Sequence, residues 1–118
     1  MLIISLNKMN NSPPIDILSK IIRDEFARQE IVVTSVYLFG SRAKETAKSD
    51  SDWDFLIIIR DKISHSLKRK IISGIRKLFI FDYNIDADFI VLAEKDVFSG
   101  STDKGRISYY ALREGLLV

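Results

Sequence analysis

Two aspartates at the start of an apolar segment are the residues of this chain best suited to chemistry. Asp52 and Asp54 flank a tryptophan and lead into the run Phe55–Ile59. Ten residues separate Asp52 from the preceding dipeptide Gly40-Ser41. In a β-strand the side-chain period is two, so both carboxylates point to the same face and repel each other unless a cation lies between them. Mg²⁺ carrying the phosphates of a nucleotide is the leading candidate, and the pattern predicts nucleotidyl transfer.

The Gly-Ser dipeptide suits a phosphate ligand. Gly40 ends a predicted strand, and a glycine there adopts conformations closed to other residues and lets a phosphate approach the backbone. Ser41 offers a hydroxyl and an N–H at the start of a helix, where the dipole favours an anion. Arg42, Lys44 and Lys48 add positive charge nearby. Most Gly-Ser pairs are simple turns, so this one gains its meaning from the carboxylates that follow.

A third carboxylate is available on a later predicted strand. In nucleotidyl transfer, two metal ions bridged by carboxylates neutralise the charge that develops at phosphorus. Such a site usually needs a further acid close to the attacking oxygen. Asp86 and Asp88 lie in the predicted strand 84–92 and share one face of it. If this strand lies beside the strand that starts at Trp53, one of the two completes the site, and the spacing leaves both open.

The remaining sequence predicts helices and strands that alternate. Apolar spacing and turn residues define the elements. They are a helix at 15–30, a strand at 31–39, a short helix at 42–47, a strand at 53–60, a helix from a Ser64 cap to about residue 79, a strand at 84–92, helices at 94–98 and 107–113, and a strand at 116–118. The strand at 53–60 is apolar on both faces and should be central, with Trp53 turned away from its flanking aspartates. The order predicts an α/β fold with a small mixed sheet of about four strands flanked by helices.

Composition is that of a single globular domain. The chain has 118 residues, of which 47% are hydrophobic and 29% charged. We divide it into an N-terminal extension, 1–14, and a domain, 15–118. It has no cysteine, which excludes disulfides and thiolate metal sites. Apolar runs are too short to span a bilayer and the first residues lack the features of a signal peptide, so we expect a cytoplasmic protein.

The distribution of charge says less about function than the motifs do. Eighteen basic and 16 acidic residues leave a net charge of +2, too balanced to indicate nucleic-acid binding. The stretch 68–77 is an exception, because it carries five basic residues and no acidic one. A solvated helix face is the favoured interpretation of this stretch, ahead of a contact for RNA or an acidic partner. The single histidine, His65, is interpreted as a surface or capping residue.

Taken together, these motifs resemble the minimal nucleotidyltransferase family of the DNA polymerase β nucleotidyltransferase superfamily. The resemblance is carried by Gly40-Ser41-Arg42-Ala43, by Ser51-Asp52-Trp53-Asp54-Phe55 and by Asp88 on a later strand. It extends from about Ile15 to the C-terminus and includes the closing segment 109–117.

The resemblance implies a polymerase β-like fold and a defined site. Asp52, Asp54 and Asp88 would be the catalytic residues and the ligands of Mg²⁺, with two ions expected. Gly40, Ser41 and Arg42 would bind the nucleotide, with ATP as substrate. Asp88 is preferred to Asp86 because the residues that follow it match the family's third acid.

It also implies a biological role. Many such proteins are antitoxins paired with a helical HEPN-type RNase toxin, and some transfer AMP to a tyrosine hydroxyl of that partner. The alternatives are a non-catalytic module that neutralises a helical partner by binding, and nucleotidyl transfer to RNA or to a small molecule. One departure from the family pattern is Glu45, where glycine is common, and a carboxylate there would weaken nucleotide binding or face solvent.

Overall fold

The computed structural model describes residues 15–40, 53–97 and 115–118. Its elements in chain order are α1 (Ile15–Ala27), β1 (Val33–Phe39), β2 (Trp53–Ile59), α2 (His65–Tyr83), β3 (Ala87–Ala93), α3 (Glu94–Val97) and β4 (Leu116–Leu117). The predicted α/β class is confirmed. The extension 1–14 and the predicted helices at 42–47 and 107–113 lie outside the described residues.

The strands form one mixed sheet. Their order is β3-β2-β1-β4 across the described residues. β1 pairs antiparallel with β2 and with β4, whereas β2 and β3 are parallel. A parallel pair needs a long crossover, and α2 provides it. β2 therefore lies inside the sheet, as its continuous apolar sequence predicted, and nearly all of its residues are buried.

Strand side chains alternate between two faces of the sheet. The first face packs against α1 and α2, where Phe26, Phe55 and Phe79 are fully buried. The second face carries a smaller cluster around Leu56 and Leu92 and contacts α3. Since the side-chain period is two, the even-numbered residues of β2 and β3 belong to this second face.

The first helix ends earlier than predicted. α1 ends at Ala27 rather than at residue 30, because Glu30 adopts the left-handed conformation with φ 60°. The N–H of Ile31 then donates to the carbonyl of Phe26 at 3.1 Å, which closes a Schellman-type turn. No glycine marks this turn in the sequence, so the spacing of apolar residues overestimated the helix.

The long helix α2 begins where predicted and ends later. The Ser64 hydroxyl caps it by accepting from the N–H of Leu67 at 3.2 Å. The helix continues to Tyr83 and stops at Asn84, which adopts the left-handed conformation with φ 54°. In consequence β3 starts at Ala87 rather than at residue 84. Among the described residues, no helix is long and apolar enough to cross a membrane.

Candidate active site

Two of the predicted aspartates lie side by side on neighbouring strands. Asp54 and Asp88 are the second residues of β2 and β3, and the parallel register pairs them directly. Both lie on the second face of the sheet, and adjacent strands are about 4.8 Å apart. Asp54 is partly buried, while the side chain of Asp88 is 69% exposed. The start of this strand pair therefore presents two carboxylates to one region of solvent.

Gly40 lies against one of these carboxylates. It directly follows Phe39, which pairs with Asp54 in the β1–β2 ladder. Its φ of +76° is in the region that side-chain-bearing residues rarely adopt. A Cβ at this position would lie 2.7 Å from Asp54 Oδ2, well inside ordinary contact distance. Glycine is thus needed here for its backbone conformation and because the Asp54 carboxylate lies where a side chain would begin.

A cluster of aromatic rings supports the carboxylates from the first face. Phe55 stacks on Trp53 and on Phe89 with ring centroids 6.3 Å and 5.8 Å apart, and Phe79 of α2 meets Phe89 edge-on at 5.6 Å. Trp53 is 6% exposed, so it faces away from Asp54 as predicted. These contacts fix the first residues of β2 and β3 against α2. The strand segments that carry the two carboxylates are therefore well packed on the first face.

Arg76 of α2 contacts one of the two carboxylates. Its Nη2 lies 3.5 Å from Asp88 Oδ1, and its Nε donates to the carbonyl of Ala87 at 3.4 Å. The sequence had placed Arg76 in a basic stretch interpreted as a solvated face. Arg76 is exposed, as that interpretation predicts, and it also contacts β3 because the crossover brings α2 back beside this strand. No sequence signal identified this contact, since it depends on the packing of a helix against an outer strand.

The other predicted site residues are distributed as follows. Asp52, Ser41 and Arg42 lie outside the described residues, and their roles stay predictions. Asp86 precedes β3 and is exposed, and its carbonyl accepts from the N–H of Trp53 at 3.1 Å. Asp88, and not Asp86, is the residue paired with Asp54. His65 is exposed at the first position of α2, as predicted.

The donor set suits a hard divalent cation as far as it is described. Mg²⁺ takes oxygen ligands and is commonly held by one or two carboxylates together with substrate phosphates. Asp54 and Asp88 supply such a pair on one face. Within residues 15–40, 53–97 and 115–118, no group of three acidic or histidine side chains is arranged for a metal. A third protein ligand would lie outside these residues, and the sequence offers Asp52 for it.

Comparison with known proteins identifies the class. The family model described as "Polymerase beta, Nucleotidyltransferase" matches residues 19–109. This match spans most of the chain, and the protein belongs to the polymerase β nucleotidyltransferase family. The four-stranded mixed sheet of the described residues, with its flanking helices, is accordingly a polymerase β-like fold. No curated protein matches the chain significantly.

Solved structures agree with this fold. Two variants of the toxin-antitoxin MntA-HpeT match with TM-scores of 0.60 and 0.61 at 16% and 14% identity. These matches cover 91% and 89% of this chain and 72% of each matched chain. A candidate nucleotidyltransferase from Sulfolobus solfataricus matches with a TM-score of 0.52 at 24% identity, over 85% of this chain and 75% of the other. At these identities the likeness establishes the fold.

Proposed function

We propose that this protein is a Mg²⁺-dependent nucleotidyltransferase that moves AMP from ATP to a hydroxyl group of a partner protein, and that it serves as the antitoxin of a helical HEPN-type toxin. Membership of the polymerase β nucleotidyltransferase family supports the reaction class. The fold shared with the toxin-antitoxin MntA-HpeT supports a toxin as partner.

One observation carries the proposal furthest. Asp54 and Asp88 are paired in register on parallel strands, and Gly40 lets the carboxylate of Asp54 lie closer to the backbone than a side chain at position 40 would allow. Asp88 has Arg76 as an ion-pair partner, and the register still places two like charges side by side on neighbouring strands. A cation bound between the two carboxylates would offset their repulsion, which supports the proposed metal site.

Each residue has a distinct task in the proposed reaction. Asp52, Asp54 and Asp88 would hold Mg²⁺, which neutralises charge on the phosphates and lowers the pKa of the attacking hydroxyl. Gly40 and Ser41 would receive the triphosphate through backbone N–H groups. The cluster of aromatic rings packed behind Asp54 and Asp88 holds the two strands in place. Little reorganisation of the strands would then be needed when the nucleotide binds.

Thermal unfolding with ATP and MgCl₂, separately and together, tests the nucleotide site. A ligand at one hundred times its Kd stabilises the folded state by about 2.7 kcal/mol, which raises the midpoint by about 10 °C for a domain of this size. We expect this rise only with both ligands. It should be absent from Asp52→Asn/Asp54→Asn and from Asp88→Asn, and present in Asp86→Asn, the matched control. A rise in the double mutant equal to that of the wild type refutes the assignment.

The acceptor is tested with ATP labelled at either the α- or the γ-phosphate. Transfer of AMP moves the α label to the partner, whereas phosphorylation moves the γ label. We expect the α label on a toxin co-purified with this chain, and none with Asp52→Asn/Asp54→Asn. Label on added RNA instead of protein would contradict the choice of acceptor and leave the reaction class intact.

A second candidate function has its own support. Phe81 is 82% exposed and the neighbouring Ile80 is 49% exposed, both at the end of α2. Exposed apolar side chains of this size favour a binding surface, as a module that neutralises its partner without catalysis would need. Phe98 and Tyr109, which the sequence offered for such a surface, lie outside the described residues. If Asp52→Asn/Asp54→Asn still neutralises the toxin fully, this function replaces catalysis.

A further inference from the structure

The long helix α2 has one side in the core and one side in solvent. Ile71, Ile75 and Phe79 are buried in the core of the first face. On the other side, exposed residues spaced three and four apart lie in line along about 18 Å of the helix, and we call them the outer strip. The members of the outer strip are Arg69, Lys70, Ser73, Lys77, Ile80 and Phe81. All six are exposed, so no described element covers the strip.

The positive charge of the outer strip is not balanced within the protein as described. The sequence from 62 to 81 contains no aspartate or glutamate. Among the described residues, Arg69, Lys70 and Lys77 make no ion pair. α2 has no basic residue in its last turn, so these cations are not placed where they would complement the helix dipole. Carboxylates supplied by a partner would complement this charge.

The end of the outer strip is apolar. Phe81 and Ile80 are both exposed, and Phe81 is the most exposed of the large hydrophobic side chains in the described part of the chain. A solvated helix face accounts for the three cations but not for this pair. Aromatic side chains are enriched in protein interfaces, where a buried ring contributes a large apolar area. The pair therefore indicates a surface that another molecule covers.

This apolar end lies close to the candidate site. Arg76, one turn before Ile80 on α2, has its Nη2 3.5 Å from Asp88 Oδ1. No described strand lies beyond β3, so the edge of the sheet beside Arg76 is not covered by a further strand in the described part of the chain. A molecule bound along the outer strip would thus lie next to the edge of the sheet that carries Asp88.

The chemistry of the outer strip favours a protein over RNA. Phe81 can stack on a base, but the aliphatic side chain of Ile80 has no such use. Asp82 follows directly, is exposed and would repel phosphates. The affinity of RNA depends on the number of phosphates that a protein neutralises, and the strip offers only three cations to this end. A protein surface that carries both carboxylates and an apolar pocket matches both halves of the strip.

We propose that the outer strip of α2 is the surface on which this protein docks its acceptor protein, which presents carboxylates opposite the three cations and an apolar pocket for Phe81. Docking there brings the acceptor to the edge of the sheet beside Asp88, where a hydroxyl group has a short path to the candidate site. The inference rests on the proposed function for the existence of an acceptor, and it adds the surface and the chemistry by which the acceptor is recognised.

The probe is the HEPN-type toxin that co-purifies with this chain, separated and added back in isothermal titration calorimetry. We expect Phe81→Ser to weaken binding roughly tenfold or more, because an aromatic anchor loses its pocket. Lys77→Glu should weaken binding roughly tenfold, since it sets like charges against each other. Both side chains are exposed, so the unfolding midpoints should stay at the wild-type value.

Two variants elsewhere on the surface are the matched controls. Leu117→Ser removes an apolar side chain from β4, at the opposite end of the described sheet from β3. Lys95→Glu makes the same change of charge as Lys77→Glu on α3, which packs on the other face of the sheet. Each should change the affinity less than about twofold. Wild-type affinity in both Phe81→Ser and Lys77→Glu overturns the proposal, and so does an equal loss in the controls.

Single-stranded oligouridine is the second probe. If Lys77→Glu removes binding of oligouridine and leaves the affinity for the toxin unchanged, the outer strip is an RNA contact and the proposal is overturned. We expect no binding of oligouridine at the concentrations at which the toxin binds.

Transfer of AMP separates this inference from the proposed function. Phe81→Ser should raise the KM for the toxin and leave kcat unchanged, whereas Asp52→Asn/Asp54→Asn should bind the toxin normally and transfer no AMP. Normal transfer by the wild type with an unaffected Phe81→Ser overturns this inference alone. Loss of binding in Phe81→Ser together with no transfer by the wild type overturns the proposed catalysis alone, and a wild-type chain that does not bind the toxin overturns both.

Discussion

Replacement of Gly40 by alanine tests whether stability and metal binding depend on the close approach of the Asp54 carboxylate to the Gly40 backbone. A Cβ there would lie 2.7 Å from Asp54 Oδ2, against about 3.4 Å for ordinary contact, so the carboxylate or the backbone has to move by about 0.7 Å. Since Gly40 follows a paired strand, the side chain of Asp54 is the softer of the two. We therefore expect Gly40→Ala to displace the carboxylate from its register partner Asp88.

The cost in stability has two parts. Alanine at a φ of +76° costs about 1–2 kcal/mol, and forcing Asp54 off its rotamer costs about 0.5–1.5 kcal/mol. A total of about 1.5–3.5 kcal/mol lowers the unfolding midpoint by roughly 5–15 °C in a domain of this size. The variant should still fold at room temperature, because domains are commonly stable by about 5–15 kcal/mol.

Gly74→Ala is the matched control. Gly74 lies within α2, and a Cβ there would be 3.5 Å from Glu25 Oε2, which is ordinary contact. Alanine is the better helix former by about 0.5–1 kcal/mol, so the midpoint should rise by a few degrees. Differential scanning calorimetry measures both midpoints, and titration with Mn²⁺ measures the site. The reasoning is refuted if Gly40→Ala unfolds at the wild-type temperature and binds Mn²⁺ as the wild type does.

Three further variants test how the fold holds this site. Ser64→Ala removes the cap of α2 and should cost about 1 kcal/mol in urea denaturation, while Ser64→Asp, which also caps, should stay close to wild type. At Asn84, with φ 54°, glycine should be tolerated and alanine should cost about 1 kcal/mol, and equal midpoints for the two variants would contradict the left-handed assignment. Phe55→Ala removes a fully buried ring and should lower the free energy of unfolding by about 3–5 kcal/mol. A loss below about 1 kcal/mol would mean that the cluster of aromatic rings is not packed as described.

Much of the fold could be predicted because it depends on local patterns. The apolar run of β2 indicated a central strand, the stretch 84–92 indicated a third strand, and Ser64 marked the start of α2. Helix ends were predicted less well. Glu30 and Asn84 end their helices in left-handed conformations, and neither position carries the glycine that usually marks such an end.

The candidate site also depends partly on local patterns that the sequence shows and partly on tertiary structure. Side-chain period alone put Asp86 and Asp88 on one face of a strand and left the choice open. The register of β3 against β2 pairs Asp88 with Asp54, and such a register is set by the packing of a whole strand and not by any one residue. Arg76 was interpreted as part of a solvated face because helical spacing cannot show which exposed residue meets the edge of a sheet.

The sequence by itself therefore determined which chemical groups the protein carries and how they are spaced: carboxylates in pairs, a glycine at a strand end and the composition of a globular domain. Tertiary structure decided which of these groups meet. It pairs Asp54 with Asp88 in the register of β2 and β3, places Gly40 in close contact with the Asp54 carboxylate, and puts Arg76 of α2 beside Asp88 of β3. The physical reason is that side-chain types and periods are local properties, whereas strand order, register and the return of a crossover helix are fixed only when distant segments bury their apolar faces together.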